Sequence, residues 1–158
     1  MHHTKYKKIL FCTDFSENAD HAFDAAYDIS RRDEGILYIL YVIPNNPHRR
    51  FAELYIPSET LERIRKEFED NLATNYKKHY IRRISNGIPF QVVVRSGRED
   101  AEIIKCAIQH KADIIVMGTH GRTGIKHVII GSVAEKVLQN SPIPVFVIPS
   151  REKPESLY

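Results

Sequence analysis

The residues best suited to chemistry lie in Met117-Gly118-Thr119-His120-Gly121-Arg122-Thr123-Gly124, followed by Ile125 to Ile130 and then Gly131-Ser132. The apolar run Ile114-Ile115-Val116-Met117 leads into this stretch and reads as a buried strand. Val133-Ala134-Glu135-Lys136-Val137-Leu138 follows it with a helical pattern. Open α/β sheets bind ligands at such strand-to-helix connections, outside the carboxyl ends of the strands. Glycines let the backbone turn and approach a ligand closely, and the free N–H groups opening the next helix attract anions. The chemistry expected here is the holding of a phosphate. Each residue also has a plainer reading. Ser132-x-x-Glu135 is a capping box, Asp14 after the first strand has the type of a helix cap, and His120 on an empty loop is an ordinary exposed histidine.

These residues need elements to position them, and composition bounds what those can be. The chain has 158 residues, 42% apolar and 27% charged, enough for one domain with one substantial core. A net charge of +3 and a pI near 8.8 is too mild an excess for a dedicated nucleic-acid binder. Cys12 and Cys106 lie far apart among apolar neighbours and read as buried free thiols. No apolar run approaches the roughly 20 residues of a membrane span, and no signal-peptide core follows Met1-His2-His3-Thr4-Lys5. The expected location is the cytoplasm. His2, His3, His21, His48, His110 and His127 show no metal-binding spacing, so no metal site is expected.

In chain order, Lys8 to Thr13 reads as strand one and Ser16 to about Arg32 as helix one, with Ala19, Ala22, Phe23, Ala26 and Ile29 at helical spacing. Ile36 to Ile43 is apolar almost throughout, as suits a strand covered on both faces. Ser58-Glu59-Thr60 opens a long second helix carrying Leu61, Ile64, Phe68, Leu72, Tyr76, His79 and Tyr80 on one stripe, expected to end at Asn86-Gly87. Arg63, Lys66, Glu67, Asp70, Lys77 and Lys78 form its solvated face. Strand three spans Pro89 to Arg95. Helix three runs from Glu99 to about Lys111 and is expected to bury Ile103, Ile104, Ala107 and Ile108. Strand four is Asp113 to Met117, helix four Ser132 to about Asn140, and strand five Val145 to Ile148. Strands alternating with helices call for one doubly wound parallel sheet with helices on both faces, flavodoxin-like or related. Residues 1–150 are expected to form this domain, with 151–158 a disordered tail.

Familiar phosphate motifs are absent. No glycine precedes a Lys-Ser or Lys-Thr pair, so there is no Walker A loop, and GxGxxG does not occur. The acidic pocket of response regulators and the SGGxDS loop of adenylating pyrophosphatases are missing as well. What is present is Gly118-x2-Gly121-x9-Gly131-Ser132. With Thr13-Asp14-Phe15-Ser16, Tyr41-Val42-Ile43, Asp113 to Gly118 and Ser141-Pro142-Ile143-Pro144-Val145 in order around it, the chain resembles the ATP-binding branch of the universal stress protein family.

That resemblance implies a Rossmann-like five-stranded sheet of order 3-2-1-4-5, similar to the adenine nucleotide alpha hydrolases. It implies ATP with Mg²⁺ between strands one and four. Thr13 and Asp14 would line the adenine and ribose region, Val42 would contact adenine through its backbone, and Met117 and Gly118 would belong to the same cofactor-binding set. His120, Gly121, Arg122, Gly131, Ser132 and Val133 would serve the phosphates. It further implies a homodimer through the strand-five edge, Val145, Phe146, Val147 and Ile148. Many relatives carry a proline just after the glycine before helix three, where this chain has Arg98 after Gly97. Rapid phosphoryl transfer needs a base and charge stabilisation. His120 is the loop's sole base candidate and no second acid is evident, so no catalytic residue is assigned and ATP is expected as a conformational ligand, hydrolysed slowly at most. Two other readings stand beside this one: an interaction module with a vestigial pocket, and an enzyme using the pocket for another nucleotide-like substrate.

Overall fold

The computed structural model describes residues 4–46, 53–84, 87–119 and 130–150. Five strands form one sheet of order β3-β2-β1-β4-β5, every adjacent pair parallel. The strands are β1 (Lys8–Thr13), β2 (Ile36–Pro44), β3 (Phe90–Gly97), β4 (Ile114–Gly118) and β5 (Val145–Ile148). The helices are α1 (Glu17–Asp33), α2 (Ser58–His79), α3 (Glu99–His110) and α4 (Ser132–Asn140), with a 3-10 turn at Ile81–Arg83. The doubly wound sheet expected from the alternation of elements is present in the expected order.

Each face of the sheet has its own core. Ile9, Phe11, Ile39 and Val116 meet Ala22, Phe23 and Ala26 of α1, together with Tyr76 and Tyr80. Leu10, Leu40 and Ile115 point to the other face and meet Ile103, Cys106 and Ala107 of α3 and Ala134 and Val137 of α4. Alternate side chains of one strand therefore fill two cores, which is why the strands are apolar without interruption. Phe11 meets Phe23 and Tyr80 edge-to-face at 5.5 and 5.2 Å, pairs each contributing about 0.5–1.5 kcal/mol beyond simple burial. Both cysteines are buried and free, and burial raises both thiol pKa values.

Helix α1 begins one residue later than expected because Ser16 caps it, its Oγ accepting from the Ala19 N–H at 3.2 Å. Three expectations fail. Helix α2 ends at His79, not at Asn86-Gly87, because Tyr80 turns in against Phe11 of β1 and Phe23 of α1 to become fully buried and a 3-10 turn follows; Asn86 itself lies outside the described residues. Of the expected stripe only Tyr76 within α2 and Tyr80 just past its end are buried, while Ile64 is 38% exposed. On α3 the buried face is Asp100, Ile103, Cys106 and Ala107. Ile108 is exposed there, since the helix rests on β2 and β3 along the Ile103–Ala107 stripe.

The amino-terminal ends of the strands are held by two carboxylates. Asp113 Oδ2 accepts the N–H groups of Lys7 and Lys8 at 2.7 and 2.8 Å. Asp33 Oδ2 accepts that of Tyr6 at 2.9 Å.

Candidate functional site

The chain runs outward from β1 to β2 and β3, then crosses back past β1 to β4. This reversal opens a crevice at the carboxyl ends of β1 and β4, the place where open α/β sheets take ligands. A pocket of about 310 Å³ lies there. Leu40, Val42, Ile103, Met117, Val133 and Ala134 give it apolar walls, and Thr13, Asp14, Glu99, Thr119, Gly131 and Ser132 give it polar groups.

Eight of the expected site residues line this one cavity: Thr13, Asp14, Val42, Met117, Gly118, Gly131, Ser132 and Val133. His120, Gly121 and Arg122 lie outside the described residues.

Several of the eight do something the sequence did not reveal. Thr13 Oγ1 accepts the Phe15 N–H at 2.8 Å and pairs with the Tyr80 hydroxyl at 2.5 Å, so its hydroxyl is committed to the protein and it offers the pocket a surface. Asp14 does not cap α1. Its Oδ1 accepts the Ser16 N–H at 3.0 Å in a local turn. The turn is completed by Phe15 with φ +60°, a left-handed conformation that costs a bulky residue on the order of 1–3 kcal/mol. Ring contacts with Tyr41, Tyr76 and Tyr80 at 5.2, 5.1 and 5.8 Å hold it there.

Val42 sits where β2 outruns β1. The last β1–β2 pair is Thr13 with Tyr41, whereas β2 and β3 stay paired to Pro44 with Gly97. The Ile36 N–H bonds Lys7 on the β1 side, and the Leu37 N–H bonds Pro89 on the β3 side. That alternation turns the Val42 backbone toward β1, beyond its last pair and onto the pocket. Gly118 is required by packing: a Cβ there would lie 2.6 Å from Asn18 Nδ2 and 3.3 Å from the Asn18 carbonyl.

At the opposite wall, Gly131 is the N-cap of α4 and has no side chain to answer the first N–H groups of the helix. Ser132, exposed at the first helical position, makes no capping bond, so the capping-box reading of Ser132 and Glu135 does not hold. The N–H groups of Ser132, Val133 and Ala134 consequently have no intrahelical acceptor and face the crevice with the positive end of the helix dipole. Thr119 fixes this wall in place. Its N–H donates to the Ile148 carbonyl at 3.0 Å, and its own carbonyl accepts from Gly131 at 2.6 Å.

Glu99 was missed by sequence reasoning, which found no second acid. It opens α3 and faces the pocket, and its pKa is raised by partial burial and by the nearby negative charges of Asp14 and Asp100. Asp100 itself is buried and held by Arg98 through two bonds of 2.9 and 3.0 Å. The one signal in the sequence was position, since Glu99 follows the carboxyl end of a strand.

Comparisons with known proteins bear on the family and the fold. Residues 5–149 match the profile of the Universal stress protein family. Universal stress protein MJ0577 of Methanocaldococcus jannaschii is 33% identical over 155 residues, covering 90% of this chain and 94% of that protein. MJ0531 of the same organism is 31% identical over 151 residues, covering 94% and 85%. The solved structure of MJ0577 matches with a TM-score of 0.75 at 29% identity, over 95% of this chain and 100% of that one. A universal stress protein solved in complex with cAMP shares the fold at 22% identity and a TM-score of 0.58, over 92% and 98% of the two chains. A profile spanning residues 5–149 and a shared sheet architecture lead to one conclusion: the chain belongs to the universal stress protein family.

Proposed function

We propose that this protein binds an adenine nucleotide, ATP with Mg²⁺, in the β1–β4 crevice and uses it as a conformational ligand in a stress response, hydrolysing it slowly at most. The carrying observation is the division of one pocket into an apolar half, with Val42 and Met117, and an anion-attracting half at the start of α4. A purine fits the first and phosphates fit the second. In this reading Asp14, Val42, Met117 and the Thr13 and Gly118 surfaces contact the nucleoside. Gly131, Ser132 and Val133 contact the phosphates, with His120, Gly121 and Arg122 added from the segment outside the described residues. No catalytic residue is assigned. Homodimerisation through β5 belongs to the same reading: β5 is an edge strand, its Phe146 is 45% exposed, and such an edge invites pairing. Buried free thiols fit a reducing, cytoplasmic setting.

The test is a calorimetric titration of MgATP into nucleotide-stripped protein and into Ser132→Glu, with cAMP as a comparator. An acid in the first helical turn favours the helix but repels a phosphate placed there, a penalty of several kcal/mol. The expected result is micromolar binding by the native chain and a loss of about a hundredfold or more in the variant. A folded native protein that gives no heat up to millimolar MgATP would overturn the proposal in favour of the interaction-module reading.

A further inference from the structure

We infer that Glu99 is the ribose-recognising residue of this pocket, its carboxylate accepting hydrogen bonds from the 2′- and 3′-hydroxyls of the bound nucleotide. The inference rests on the nucleotide reading above and specifies which part of the ligand this chain selects.

Position comes from strand register. Pro44 of β2 pairs with Gly97 of β3, and the Asn45 N–H bonds the Gly97 carbonyl at 3.1 Å. Helix α3 starts two residues beyond Gly97, so Glu99 stands on the β2 side of the crevice. The start of α4 follows β4, on the other side of β1. The carboxylate and the anion-attracting helix end therefore occupy opposite walls, and phosphates drawn to α4 leave the nucleoside against Glu99.

Depth separates sugar from base. Ile103, one helical turn after Glu99 on the same face of α3, is 4% exposed and belongs to the apolar core. Glu99 is half-buried, at the rim. A flat base fills the apolar floor with Ile103, Met117 and Val42, which puts the sugar at the level of Glu99.

Chemistry completes the match. Among the described residues the Glu99 carboxylate has no hydrogen-bond or ion-pair partner, and its charged neighbours Asp14 and Asp100 are acids that, with burial, raise its pKa. A carboxylate so placed lacks donors, and a ribose diol supplies two. A phosphate on the 2′ or 3′ oxygen would be repelled from the same place.

The experiment titrates ATP, 2′-deoxyATP and 3′-deoxyATP into the full chain, into Glu99→Ala and into Glu99→Gln, with folding checked by circular dichroism. The native protein is expected to bind ATP about tenfold more tightly than either deoxynucleotide, the scale of one charge-assisted hydrogen bond. Glu99→Ala should lose that factor for ATP alone and bind all three alike. Glu99→Gln, whose amide oxygen still accepts, should keep part of the preference. Native protein that binds ATP in a Ser132-dependent way without distinguishing the deoxynucleotides would overturn this inference and leave the nucleotide reading intact. So would preference retained in Glu99→Ala, or a Glu99→Ala defect seen only as a changed Mg²⁺ requirement. Absence of any nucleotide binding by the native protein would overturn both.

Discussion

Asp33 shows how one side chain can tie local and global structure. Its carboxylate takes two bonds from Arg32, at 2.8 and 3.1 Å, as well as the Tyr6 N–H, and these hold its pKa down to about 2. An unfolded aspartate titrates near 3.9. The stabilisation is therefore complete above about pH 4 and is lost as pH falls from there toward 2. Urea denaturation at pH 5 and pH 3 should show a drop in native stability that Asp33→Asn, already weakened at pH 5, does not share in full. At this scale legibility in the sequence was uneven. Gly131 and Ser132 were visible as phosphate candidates because glycine before a helix has a direct physical meaning. That Ser132 leaves the cap unmade was not visible, since a capping box and an open anion site use the same residue types. Glu99 offered only its position after a strand, because its relation to Asp14 exists only once β1, β2 and β3 are paired.

Among the elements, the five strands were the most legible, for continuous apolar runs leave few alternatives to a sheet covered on both faces. Helix α2 was the least legible. Its stripe has the spacing of a buried face, yet only its carboxyl end docks, through Tyr76 and the Tyr80 that follows, with His79 Nδ1 bonded to Asp20 at 2.9 Å. Periodicity reports which side of a helix is apolar and not how far the partner surface extends. Among the described residues the amino-terminal part of α2 has no buried side chain, and burial is what protects a helix from local opening. Hydrogen exchange followed by mass spectrometry should find amides of residues 61–70 exchanging at least about tenfold faster than those of 74–80. Equal protection along α2 would mean that something covers its exposed half in solution.

For the whole molecule, the sheet order leaves β3 and β5 as edges. Under the homodimer proposal, Phe146→Glu should convert the native species into a monomer by light scattering, with its circular dichroism spectrum unchanged, because the side chain is solvent-facing in the single chain. A native protein already monomeric at high concentration would remove β5 as the interface. The architecture as a whole was legible because each strand-helix alternation constrains the next, whereas pairing between copies leaves no comparable trace in a single sequence. One further property follows from the 2.6 Å bond between the Gly131 N–H and the Thr119 carbonyl. It joins the chain leaving β4 to the chain entering α4 at their bases, whatever lies between. The anion-attracting wall of the crevice is thereby pinned to the end of β4 through backbone alone, so its spacing is a property of the sheet and not of any side chain.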